Sequence, residues 1–255
     1  MYMNRQSRTR FVATWLLLAG IICAQRAHSG TFQVDPIRIT LTAQSTSALL
    51  TVRNESTEKT RFQIELFEWD ENRDGQMVLK PSDDLVYYPN LLTVDPGDER
   101  KIRIGIAKFS ATVKELAYRI FIEELPPVDP QESSGIRILT KMGVPIFVQP
   151  DKPVVKANIE NTVMRAGELF FELRNNGNVH FFPRAIEVKT RGNDGDQVLR
   201  QDLKSWYVLV DGSREYRVKI PPTDCAKIKE LEIDIQIEEK SLTHQMRVPA
   251  TACNP

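Results

Sequence analysis

The chain has 255 residues, 34 Lys plus Arg against 34 Asp plus Glu, with 41% hydrophobic and 27% charged residues. The balanced charge supplies no global field for attracting nucleic acid or an anionic membrane, and the composition is that of a soluble globular chain rather than a disordered one. One large or two small domains fit this length.

The first segment is set apart by charge: Arg5, Arg8, Arg10 and Arg26 occur with no acid before residue 30. The uncharged run Phe11 to Ala24 is too short to span about 30 Å of hydrocarbon untilted, but it suits the apolar centre of an export signal. Ala27-His28-Ser29 offers small residues two apart, so residues 1–29 are expected to leave after Ser29, with Ala27 the alternative. Ile21 and Ile22 argue against reading Cys23 as a lipoprotein cysteine. No later stretch is apolar enough to span a bilayer as a helix. The mature chain is therefore expected to be exported, soluble and not inserted in the membrane, with 30 basic against 34 acidic groups.

Past residue 30 the apolar residues alternate: Phe32 and Val34, Ile39 and Leu41, Leu50 and Val52, then Phe62, Ile64 and Leu66. Period two describes strands with one buried face. Turn clusters separate them, including Asn54-Glu55-Ser56, Asp95-Pro96-Gly97, Asn175-Asn176-Gly177, Asp194-Gly195 and Asp211-Gly212. Asp70 to Gly75 opens like a calcium-binding loop, but Pro81 stands where the bidentate Glu belongs and a strand-like run precedes it, so a hairpin turn is expected.

Residues 123–135 read as a long mobile loop, of a kind that is often functional. Behind them Ile136, Ile138, Thr140, Met142, Val144 and Ile146 share one parity along a strand to Val148. The row is either an inner face of the first sandwich or an edge strand that lends its side chains to a partner. Two prolines in Gln149 to Pro153 then form a stiff connector. The expected architecture is all-β, with immunoglobulin-sized sandwiches over 30–150 and 151–255. The sequence Val94-Asp95-Pro96-Gly97, echoed by Val210-Asp211-Gly212, suggests a repeated architecture. In an exported chain Cys225 and Cys253 are expected to bridge.

Chemistry-bearing patterns are scarce. His180 and His244 belong to no metal or triad arrangement, and no P-loop, dinucleotide fingerprint, G-x-S-x-G or H-E-x-x-H occurs. Glu123-Glu124 and Glu238-Glu239 face opposite ways on a strand and suit solvated faces better than acid/base work. Neither an enzyme nor a cofactor is expected.

Taken together, Val34-Asp35-Pro36-Ile37-Arg38 in the first strand, Asn54, Trp69, Pro96-Gly97 with Ile102-Arg103, Glu115 with Tyr118-Arg119, Glu124-Leu125-Pro126-Pro127, and Val144-Pro145-Ile146-Phe147 with Pro150 resemble the PapD-like periplasmic pilus chaperones. Asn175 to Phe181 and Tyr207 to Val218 extend the likeness through the second half. The Tyr118-Arg119 pair and Val144-Pro145-Ile146 look more like the archaic or alternative branch.

The resemblance implies two immunoglobulin-like domains set at an angle, and a periplasmic chaperone that caps pilin subunits by donor-strand complementation and hands them to an outer-membrane usher. It maps the donated side chains onto Ile136, Ile138, Met142 and Val144 in the row ending at Ile146, and an interdomain acid onto Glu124. It also implies a basic anchor for the pilin carboxylate at Arg38. The family's second anchor position holds Pro145 here, so Arg119 or Lys141 is expected to supply that charge. Gln149 replaces the family's partner for Glu124. Weak self-association through the donor strand is a further expectation. The rival from another class is a structural or adhesive surface module, in which the apolar row is ordinary core.

Overall fold

The computed structural model describes residues 32–72, 75–107, 112–127 and 138–253. The expected export segment 1–29 and Ile136 lie outside the described residues. In chain order the first half runs β1 (Phe32–Asp35), β2 (Ile39–Leu41), β3 (Ser47–Asn54), β4 (Thr60–Glu71), β5 (Met77–Lys80), β6 (Leu85–Tyr88), β7 (Leu91–Val94), β8 (Glu99–Ile106), β9 (Leu116–Leu125) and β10 (Lys141–Val148). The second half runs β11 (Ala157–Arg165), β12 (Glu168–Asn175), β13 (Ala185–Arg191), β14 (Gln197–Asp202), β15 (Ser213–Lys219), β16 (Glu230–Ile237) and β17 (Lys240–Arg247).

These strands make two sandwiches. In the first, the sheet β1-β3-β8-β6 faces the sheet β2-β10-β9-β4-β5, with β7 also paired to β4. In the second, β11-β12-β15 faces β14-β13-β16-β17. The alternation read from the sequence sends Leu50, Val52, Phe62 and Ile64 into the first core, where Ile102 and Ile120 join them, and Leu169, Phe171, Val188, Val218, Ile233 and Ile235 fill the second. β4 and β5 pair antiparallel as expected of a hairpin, with Glu71 opposite Met77 and Gly75 at φ 71°.

An asparagine closes one strand of each sandwich in the same way. Asn54 donates Nδ2–H to Val94 O at 2.9 Å and accepts from Ser56 N–H at 2.9 Å. Asn175 donates Nδ2–H to Val208 O at 3.0 Å and accepts from Gly177 N–H at 2.9 Å. Each carboxamide satisfies a buried carbonyl and tightens the turn two residues on, which is the physical content of the repeat. Cys225 and Cys253 are bridged, with Cα atoms 5.7 Å apart, tying the short helix Pro222–Cys225 to the chain end.

Arg38 differs from its expected place. β1 ends at Asp35, the Asp35–Pro36 bond is cis, and Arg38 occupies the exposed bend before β2. Proline at position 36 offers no N–H to a ladder, so the chain leaves one sheet there and joins the other.

Candidate functional site: an open strand edge beside an interdomain cleft

β10 pairs antiparallel with β9 along its whole length, from Lys141 opposite Glu123 to Val148 opposite Leu116. On its other side β2 runs parallel and covers only Ile146 to Val148. Among the described residues, 141–145 therefore have one neighbouring strand and leave a line of backbone groups open.

Exposure divides the apolar row along the same line. Ile138 is 79% exposed, whereas Val144 and Ile146 are buried to 1% and 0% in the first core. Thr140 is half-buried and Met142 packs on the rim of that core. Val144 and Ile146 thus depart from the donor row read from sequence. In the free chain they hold the strand in its own sandwich. Parity could not separate the two halves, because a lent face and a core face have the same period.

The opposite face of β10 carries Lys141, Gly143, Pro145 and Phe147. Lys141 Nζ lies 2.6 Å from Glu123 Oε2 and 3.4 Å from Glu65 Oε2. A hydrogen bond to Glu123 and a second carboxylate hold its ammonium above the usual lysine range. A Cβ on Gly143 would stand 2.9 Å from the Phe121 ring and 3.1 Å from Arg119 Nε, so this glycine lets both side chains lie across the strand.

Arg119 is directly opposite Pro145. Its guanidinium carbon lies 4.7 Å from the centroid of Trp69 and 5.7 Å from that of Trp206, and the residue is only 8% exposed. Burial holds its pKa below the ordinary arginine value, against the opposing pull of Tyr207 and Glu71. On the other flank of Pro145, Arg38 stands one residue before Ile39, which pairs with Ile146. The two arginines thus bracket the proline where the resemblance leaves a charge missing.

Arg38 opens onto a cleft of about 1170 Å³ between the sandwiches. The bend Asp35 to Arg38 lines one wall, and His180, Phe182, Arg184, Tyr207, Glu238 and Lys240 line the other. Beneath the cleft the domains are joined through named contacts. Glu115 Oε1 accepts from the backbone N–H of His180 at 2.8 Å and meets its Nδ1 at 2.6 Å. Trp69, Phe147 and Tyr207 pack together, with Trp69 and Tyr207 rings 5.5 Å apart. Glu71 Oε1 accepts from Arg214 at 2.9 Å and from Trp206 Nε1 at 3.1 Å. Burial raises the Glu71 pKa more than Arg214 lowers it.

Glu124 is a second correction. It is buried at the far end of β9, opposite Phe62, with its N–H on Thr140 O at 2.9 Å. The acids that reach the second domain are Glu71, on β4, and Glu115, nine positions before Glu124 on the chain. Sequence reasoning missed His180 as well, because its partner is 65 positions away. Among the described residues no group of three His, Cys, Asp or Glu could hold a metal ion.

Residues 31–153 match the family described as pili and flagellar-assembly chaperone, PapD N-terminal domain. No curated protein matches the sequence. Among known structures, the class 5 fimbriae chaperone CfaA is 18% identical at a TM-score of 0.55, over 86% of this chain and 99% of that one. The CsuC–CsuE chaperone–tip adhesion subunit complex of archaic Csu pili from Acinetobacter baumannii is 17% identical at 0.56, over 85% and 98%. The YadV chaperone is 10% identical at 0.58, over 86% and 100%. Identities at this level speak for the two-sandwich fold.

Proposed function

We propose that this chain is a PapD-like pilus-assembly chaperone, the non-enzymatic family whose N-terminal domain residues 31–153 match, and that it holds pilin subunits by lending them the open edge of β10. It works in the periplasm after losing residues 1–29 and passes its cargo to an outer-membrane usher. The observation that carries the reading is the division of β10: the segment up to Pro145 is open on one side and continues back to the exposed Ile138, while the end of the strand is fastened in the core. A subunit lacking a strand finds there both a backbone ladder and apolar side chains at alternate positions.

The donated group is then Ile138 with Met142, Thr140 between them, and Ile136 upstream. Each fully buried aliphatic side chain contributes about 1.5 to 3 kcal/mol before ordering costs. Arg38 at the cleft is the carboxylate anchor. Arg119 is the favoured second charge, because it borders Pro145 and has no carboxylate ion partner among the described residues. Lys141 is already engaged by Glu65 and Glu123.

Co-expression with a pilin subunit tests the reading. Ile138→Asp is expected to stay folded and to lose the soluble subunit, because the site is exposed in the free chain. Ile146→Asp is expected to unfold the first domain. Full capture by Ile138→Asp would instead favour the surface-module reading, in which this strand serves its own sandwich.

A further inference from the structure

His180 is fixed by contacts from both domains. Glu115, from the start of β9, holds Nδ1 at 2.6 Å, and the same oxygen takes the His180 backbone N–H at 2.8 Å. The Phe147 ring of β10 is stacked on the imidazole at 3.5 Å and 13°, and Tyr207 stands 5.6 Å away. The two polar side chains are 9% and 1% exposed. Glu115 Oε2 is sealed away without a partner, but His180 Nε2 is not among the sealed atoms, and the cavity that His180 lines is the cleft of Arg38.

We propose that His180 is a carboxylate-binding group of this cleft: Glu115 orients the ring so that Nε2–H donates to the same anion that Arg38 holds. The inference rests on the reading of Arg38 as an anchor, and it assigns the second domain a direct part in recognition. With Nδ1–H given to Glu115, a neutral ring turns a lone pair at Nε2 toward the cleft, and a carboxylate is repelled. A proton taken from solvent converts Nε2 to a donor and makes the hydrogen bond charge-assisted. One proton is taken up at the ring as the carboxylate arrives and returns to solvent as it leaves.

The charged and titratable groups around the ring are Glu115 below, Tyr207 beside it, Asp35 and Arg38 on the bend opposite, and Arg184, Glu238 and Lys240 on the rim of the second domain. Their near balance of charge leaves the ring's own proton to decide the sign of the pH response. Carboxylate binding is expected to tighten from pH 8 to pH 6, by at most about tenfold per unit for one linked proton.

Acetate, added at constant ionic strength to the whole chain with nitrogen-15-labelled histidine, is the probe. The Nε2 resonance of His180 is expected to move saturably while that of His244 stays still. His180→Gln is expected to bind acetate through Arg38 with the pH dependence gone. An Nε2 signal indifferent to acetate, a reading that needs no variant, overturns the proposal, as does a pH slope that survives His180→Gln. A pilin subunit in place of acetate distinguishes the terminal carboxylate of a client from a free one. Subunit capture unchanged by Arg38→Ala defeats the anchoring reading, whereas silence of His180 toward acetate defeats this inference and leaves that reading intact.

Discussion

At the scale of single residues, the site depends on what small side chains permit. Gly143 has an ordinary strand conformation, so its role is room rather than backbone freedom. Alanine there meets the Phe121 ring at 2.9 Å and Arg119 Nε at 3.1 Å. Phe121 is only half-buried and can give way, so Gly143→Ala is expected to cost about 1 to 2 kcal/mol as a lower denaturation midpoint, with the Arg119 stack disturbed. An unchanged midpoint would mean that the outer face of β10 is loosely packed. The residue types were legible in the sequence, but their surroundings were not. Arg38 and Arg119 could be singled out by resemblance, yet nothing local announces that Trp69 and Trp206 close over Arg119, because Trp206 is 87 positions further along the chain.

At the scale of elements, alternation revealed the strands well. The row from Ile138 to Ile146 has a single parity in the sequence; in the structure Met142, Val144 and Ile146 share a face of β10, while Ile138 and Thr140 precede the strand. What parity could not disclose is where β2 stops covering β10, because that limit is set by the bend before Ile39, more than 100 positions earlier. The disulfide is the element-scale feature the sequence indicated most directly. Cys225 and Cys253 are 28 positions apart, and closing such a loop is worth about 3 to 4 kcal/mol in the chain-entropy model. Reduction is expected to lower the stability of the second domain by that order and to leave the subunit capture proposed for the first domain in place. Calorimetry on oxidised and reduced protein checks this, and equal melting of both forms would count against it.

At the scale of the whole molecule, the two sandwiches are held by long-range polar contacts set around an aromatic cluster. Glu71 is central to one of them, accepting from both Arg214 and Trp206. Glu71→Ala leaves a mostly buried guanidinium without its carboxylate, so a loss of about 2 to 3 kcal/mol is expected. The loss should appear as separation of one melting transition into two, because each sandwich keeps its own core. A single sharp transition at the original temperature would show that the aromatic contacts of Trp69, Phe147 and Tyr207 suffice. The two-domain architecture was legible from turn spacing and the paired prolines near residue 150. The joint was not, because its acids and bases are scattered along the chain and meet only once both sandwiches have formed.

The bend that carries Arg38 sits level with Pro145, seven residues from the exposed Ile138. Extended chain rises about 3.3 Å per residue, so on the proposed reading, with the segment drawn out as strand against a client, charge and apolar tip would stand about 23 Å apart. That span would work as a gauge. A client clipped by two residues would seat its terminus or fill its groove, never both, so the strand proposed to shelter a subunit would also reject one made too short.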